Sequence, residues 1–95
     1  MAETAMTGEG LDERRRRLRY RAWHRGFQEM DLVMGRFVDA EVAGLSDAEL
    51  TEFERLIELH DHDIYAWVMG NAPVPPEYDT ALFRRMRDFH VSDPH

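Results

Sequence analysis

The 95-residue chain has no cysteine and no lysine, and no apolar run approaches the length of a membrane span. Without cysteine there can be neither a disulfide framework nor a thiolate metal or redox site. Without about 20 consecutive apolar residues no helix can cross a bilayer, so no membrane insertion is expected. Residues 1–10 contain no apolar segment of the kind a secretory signal needs. The acids Glu3, Glu9, Asp12 and Glu13 argue against a mitochondrial transit peptide, which is poor in acids. A cytoplasmic protein is the expectation. Also missing are a nucleophile elbow, a phosphate loop and a dinucleotide glycine pattern. At this length the chain has room for one core and one domain.

What is present is an uneven charge distribution. The net charge is -7, which speaks against a nucleic-acid binder overall, yet all twelve basic residues are arginine. Seven of them, Arg14, Arg15, Arg16, Arg17, Arg19, Arg21 and Arg25, fall in one short stretch. The split suggests a basic face for an acidic partner, since a guanidinium is planar and always charged. The alternative is a solvated helix rich in arginine. Tyr20 and Trp23 lie among these arginines and would suit base stacking, so an Arg-helix nucleic-acid binder is a minor reading.

Hydrophobic spacing predicts an all-α fold, a compact five-helix bundle over residues 11–90 with tails at 1–10 and 91–95. The first helix is expected from Asp12 to about His24, burying Leu11, Leu18, Ala22 and Trp23. The second runs from Phe27 to Ala43 on a stripe of Phe27, Met30, Val33, Met34, Phe37 and Val38, with Gly35 marking a close packing or a kink. Ser46 and Glu49 form a capping box and Leu45 and Leu50 a hydrophobic staple at the start of the third helix, which runs to about Leu59. Its core face is Leu50, Phe53, Leu56, Ile57 and His60, and its acids are expected to face water. Asp61 or Asp63 caps a short fourth helix ending at Gly70-Asn71. After a proline loop, a fifth begins near Glu77 to Asp79, buries Leu82, Phe83, Met86 and Phe89, and frays from His90.

Candidate chemistry is sparse. In His60-Asp61-His62-Asp63 two histidines two apart lie on different helix faces with no third spaced ligand nearby, so no metal is assigned. Ser46 is engaged in a cap and Ser92 lies near the end. Carboxylates are too numerous for spacing to select a catalytic pair, and no catalytic residue is assigned. Arg25-Gly26-Phe27-Gln28-Glu29, where the arginine helix gives way through glycine, remains. With Gly26 as N-cap, Glu29 takes the third helical position and reaches back to the cap amide. Arg25 is not explained this way, because a cation at a helix start opposes the dipole.

That stretch followed by Met30-Asp31, then Phe37, Leu45-Ser46-Asp47 with Glu49, Phe53-Glu54-Arg55-Leu56-Ile57-Glu58, and Asp61-His62-Asp63-Ile64-Tyr65-Ala66-Trp67-Val68-Met69 resembles the SdhE-type FAD assembly factors over roughly Arg14 to Phe89. The resemblance implies a small helical, chaperone-like protein of the bacterial cytoplasm. Such a protein promotes covalent attachment of FAD to a histidine of the succinate dehydrogenase flavoprotein subunit and, in some bacteria, of fumarate reductase. FAD ends on the partner, so no cofactor is expected to be firmly bound here and no enzymatic activity is implied. The family's functional residues fall on Arg25, Gly26 and Glu29. Where many members have a second arginine this chain has His24, a pH-dependent cation. Arg21 and the run Arg14 to Arg17 would supply the missing charge, and Asp31 closes the motif. Arg21, His24, Arg25, Gly26, Glu29 and Asp31 are therefore the expected partner-binding residues. A protein-interaction module acting as a toxin-neutralising partner is the alternative, a role also proposed for some members.

Overall fold

The computed structural model describes residues 11–92, and the expected tail at 1–10 and the last three residues lie outside the described residues. Among the described residues five α-helices appear, α1 (Glu13–Ala22), α2 (Gln28–Glu41), α3 (Asp47–Ile57), α4 (Asp61–Val68) and α5 (Ala81–Ser92), with 3-10 turns at Val42–Gly44 and Pro76–Tyr78. Among the described residues there is no strand, and no helix is long and apolar enough to cross a membrane.

Local chemistry sets most of the boundaries. Asp12 precedes α1 and its carboxylate accepts the Arg15 N–H at 2.8 Å. The capping box of α3 is formed in both directions, Ser46 N–H to Glu49 Oε1 at 2.9 Å and Glu49 N–H to Ser46 Oγ at 3.1 Å. The flanking staple residues Leu45 and Leu50 are both buried. Helix α4 stops where Gly70 takes a φ of 78°, the left-handed region open to glycine. The Asn71 N–H then returns to the Ala66 carbonyl at 2.8 Å and the Gly70 N–H to that of Trp67 at 3.3 Å, a Schellman ending. Helix α5 starts at Ala81, later than the Glu77 to Asp79 expected from the sequence, because Pro76–Tyr78 makes a separate turn and Thr80 Oγ1 takes the Phe83 N–H at 3.2 Å. It continues to Ser92 rather than fraying at His90.

Helix α2 is the centre of the bundle, with Met30, Val33, Met34, Phe37 and Val38 buried between α1 on one side and α5 on the other. Phe37 meets Phe53 of α3 and Phe89 of α5 at ring separations of 6.1 and 5.9 Å. Gly35 marks a close packing: a Cβ there would lie 2.3 Å from the Trp23 ring, so the indole occupies the place of a side chain. The same indole donates from Nε1 to Asp39 at 3.2 Å. His60, expected in the core, is exposed at the start of α4 because α3 ends at Ile57.

The arginines of α1 are not a free basic face. Arg14 donates to both oxygens of Glu54 at 2.9 Å, Arg19 to Asp39 at 2.7 Å and Arg21 to Glu58 at 2.7 Å. Arg16 and Arg17 pair with Glu13. Arg15 reaches the Val42 and Leu45 carbonyls beyond the end of α2. Two of the acids expected to face water, Glu54 and Glu58, are thus bound to α1. The cause is proximity: α1 lies across α3 as well as α2, and acid on one helix meets arginine on the other.

These pairings make stability fall in acid. The Arg14 hydrogen bond holds the Glu54 carboxyl below its ordinary value, the Arg21 bond does so for Glu58, and the backbone amides of Ser46 and Arg15 do so for Glu49 and Asp12. A carboxylate depressed in the folded state contributes stability that is complete above its unfolded pKa and is lost as pH falls through the folded one. The melting temperature is therefore expected to hold steady down to the ordinary glutamate value of 4.5 and to fall progressively below it. Circular-dichroism melts across this range check it, and a melting point unchanged far into acid would contradict it.

Candidate functional site

The turn from α1 into α2 is built differently from its sequence expectation. Phe27, not Gly26, is the N-cap, with extended backbone (φ -151°, ψ 161°) and no side-chain cap bond. Glu29 thus stands at the second helical position rather than the third, and no capping box forms around it. It stays in the first turn of α2, where a carboxylate suits the positive helix end.

Gly26 is held from a distance. Its N–H donates to Asp61 Oδ2 at 2.5 Å, while the other oxygen of Asp61 receives Arg25 Nε at 2.7 Å and Nη2 at 2.6 Å. The Arg25 guanidinium also reaches the Leu59 carbonyl at 3.4 Å, and the Arg25 backbone N–H donates to Asp31 at 2.6 Å. One aspartate from α4 and one from α2 therefore fix both the side chain and the backbone of this dipeptide. The Gly26 φ is not in the left-handed region, so conformational freedom does not explain the glycine. Space does: a Cβ would lie 2.6 Å from Asp61 Oδ2.

The position of Arg25 corrects the expectation of an open charge. Its side chain is 8% exposed and that of Asp61 15%, so the cation is turned inward and matched there. A guanidinium this far from water needs a partner, because an unpaired buried charge is costly. Asp61, expected to cap α4, is its first helical residue and aims its carboxylate at the turn instead, while His60 takes the cap position without a side-chain bond.

Among the six residues expected to bind a partner, Glu29 is the one without a bonded partner of its own. It is exposed and, among the described residues, makes no hydrogen bond or ion pair. Arg21 is exposed but bound to Glu58, and Asp31 is half-buried against the Arg25 amide. His24 stacks on Tyr20 at 3.8 Å, with its Nδ1 2.6 Å from the Tyr20 carbonyl. Of the two aromatics offered for base stacking, Trp23 is packed against Gly35, while Tyr20 stacks on His24 and stays exposed. In the acidic cluster, Asp61 serves the turn and the His62 ring lies on Phe27 at 4.9 Å and 16°, so neither points to a shared ion.

Sequence reasoning missed Asp31 and Asp61 as braces and Phe27 and His62 as a contact. The available signal was that Arg25-Gly26 and Asp61-His62-Asp63 were both among the stretches carrying the resemblance. Their physical partnership spans 36 residues and could not be read from either alone.

Residues 16–90 match the family described as "Flavinator of succinate dehydrogenase". The chain is 41% identical to the FAD assembly factor SdhE of Acetobacter pasteurianus over 78 residues, 82% of this chain and 72% of that protein. It is also 41% identical to the mitochondrial succinate dehydrogenase assembly factor 2 of Debaryomyces hansenii over 70 residues, 74% of this chain and 49% of the relative. With the Dictyostelium discoideum counterpart it shares 29% over 84 residues, 60% of that protein. The chain thus spans about half to three quarters of the length of these relatives.

Proposed function

Because the chain belongs to the family of succinate dehydrogenase flavinators, we propose that it binds the flavoprotein subunit of succinate dehydrogenase and promotes covalent attachment of FAD to a histidine of that subunit. The FAD and the attacking histidine belong to the partner, and this chain contributes binding rather than a catalytic group. Holding a histidine, the isoalloxazine ring and nearby proton-transfer groups in one geometry can lower a barrier by several kcal/mol, since well-oriented reactions gain about 7 kcal/mol or more over free encounter. The flavoprotein of fumarate reductase is a second client of the same chemistry, and the bacterial cytoplasm is where both would be met.

The observation that carries this reading is Glu29, an exposed and unmatched carboxylate on a turn that Asp31 and Asp61 hold rigid. Partner binding at such a point avoids the cost of ordering a loop, and a carboxylate makes short, strong hydrogen bonds to cationic donors. Arg25 and Gly26 shape the turn from within. Nucleic-acid binding gains no support, because the arginines from Arg14 to Arg25 already have acidic or carbonyl partners.

The test is co-expression of the flavoprotein subunit, with and without this chain, in cells lacking their own factor. Covalent flavin is read as fluorescence of the denatured subunit in a gel. A fluorescent band that depends on this chain is expected, and equal fluorescence without it would contradict the reading.

A further inference from the structure

Three exposed or half-exposed rings gather where the Arg25-Gly26 turn meets the start of α4, without having been assigned a role. The Phe27 ring lies under His62 (4.9 Å, 16°) and meets the edge of Tyr65 at 5.4 Å and 81°. His62 is exposed, and its ring nitrogens make no hydrogen bond among the described residues. Asp63, next to it, is exposed and equally without a partner. The first turn of α4 is also locked to the Arg25-Gly26 turn, because Asp61 bonds to both residues. The two segments therefore present one rigid surface.

We propose that the docking surface continues from Glu29 onto the first turn of α4, with His62 as its outer anchor, and that the flavoprotein meets it with an arginine. This rests on the flavinylation reading. The chemistry favours a guanidinium over other groups. Glu29, two residues after Phe27, and Asp63, next to His62, are exposed carboxylates on the segments that carry the ring stack, and a guanidinium is both charged and flat, able to lie against a ring while bonding a carboxylate. The chain uses the same contact internally, with Arg55 over Tyr78 at 5.3 Å and Arg87 over Phe83 at 5.9 Å. The sign is the reverse of what the arginine-rich segment suggests. The arginine-rich segment is neutralised within the fold, and the unmatched charge at this surface is negative.

The experiment measures binding of the full chain to the purified flavoprotein subunit by calorimetry. His62→Ala is expected to weaken binding by about tenfold, the effect of losing one anchor of moderate size, while the loss of its stack on Phe27 lowers the melting temperature by only a few degrees and leaves the chain folded. His62→Phe, which keeps the stack, is expected to bind within about threefold of the original chain. Added salt should weaken binding of the original chain and weaken that of Asp63→Asn less. Unchanged affinity in His62→Ala, or affinity indifferent to salt, would overturn the inference while leaving the flavinylation reading standing. No binding of the original chain to the flavoprotein would overturn both.

Discussion

Gly35→Ala is expected to lower the melting temperature by roughly 10 °C, the shift that about 2 kcal/mol produces in a domain of this size. Helix propensity alone predicts the opposite, since alanine is better than glycine inside a helix by about 1 kcal/mol. The packing decides the sign. A Cβ at position 35 would lie 2.3, 2.4 and 2.7 Å from three carbons of the Trp23 ring, far inside van der Waals contact. An indole is flat and rigid and cannot yield at those atoms. Forcing extra volume into a filled core typically costs about 1–3 kcal/mol, and a contact this short belongs at the upper end. If Trp23 swings outward instead, it gives up its bond to Asp39 and uncovers the α1–α2 contact, which is also destabilising. Trp23→Phe in the same chain should recover part of the loss, because the smaller ring leaves room. A thermal-denaturation cycle of the two single variants and the double variant checks this, and additive losses would contradict the contact as the cause.

The same contact shows what the amino-acid sequence could reveal. Gly35 could be recognised as a site of close approach, but nothing in the spacing named Trp23 as the ring that fills it. The Ser46–Glu49 box, the Leu45–Leu50 staple and the Gly70 stop were legible because each is settled within a few residues. All-α architecture was legible for the same reason, since helical periodicity is a local property. Pairings between helices were not. Arg14 with Glu54 and Arg25 with Asp61 join residues 40 and 36 positions apart. From sequence the first pair read as a basic face and a solvated acidic one, and the second as an open charge and a helix cap. In each case the fold brought together groups that local rules had sent elsewhere. The Arg-Gly-x-x-Glu stretch stood out in the sequence, but the division inside it was visible only once Arg25 proved inward and Glu29 outward.

That division predicts that Glu29→Ala separates stability from function. Glu29 touches no other described residue through a polar bond, so the fold loses only its interaction with the positive end of α2, under about 1 kcal/mol. Alanine's better helix propensity offsets part of this, and the melting temperature should move by only a few degrees. Binding has no such compensation. Truncating one member of a desolvated, hydrogen-bonded charge pair at an interface costs about 2–5 kcal/mol, at least a thirtyfold loss of affinity. Much of that is the penalty on the partner's cation left unmatched. Glu29→Gln, which keeps hydrogen-bonding capacity and removes charge, should fall between.

The most direct measurement is covalent flavin fluorescence of the succinate dehydrogenase flavoprotein co-expressed with Glu29→Ala, read beside the thermal melt of the same variant. The expected result is a melt close to that of the original chain together with loss of most of the covalent flavin. Full flavinylation, or a loss that appears only because the variant has unfolded, would contradict Glu29 as the point where this fold meets its partner.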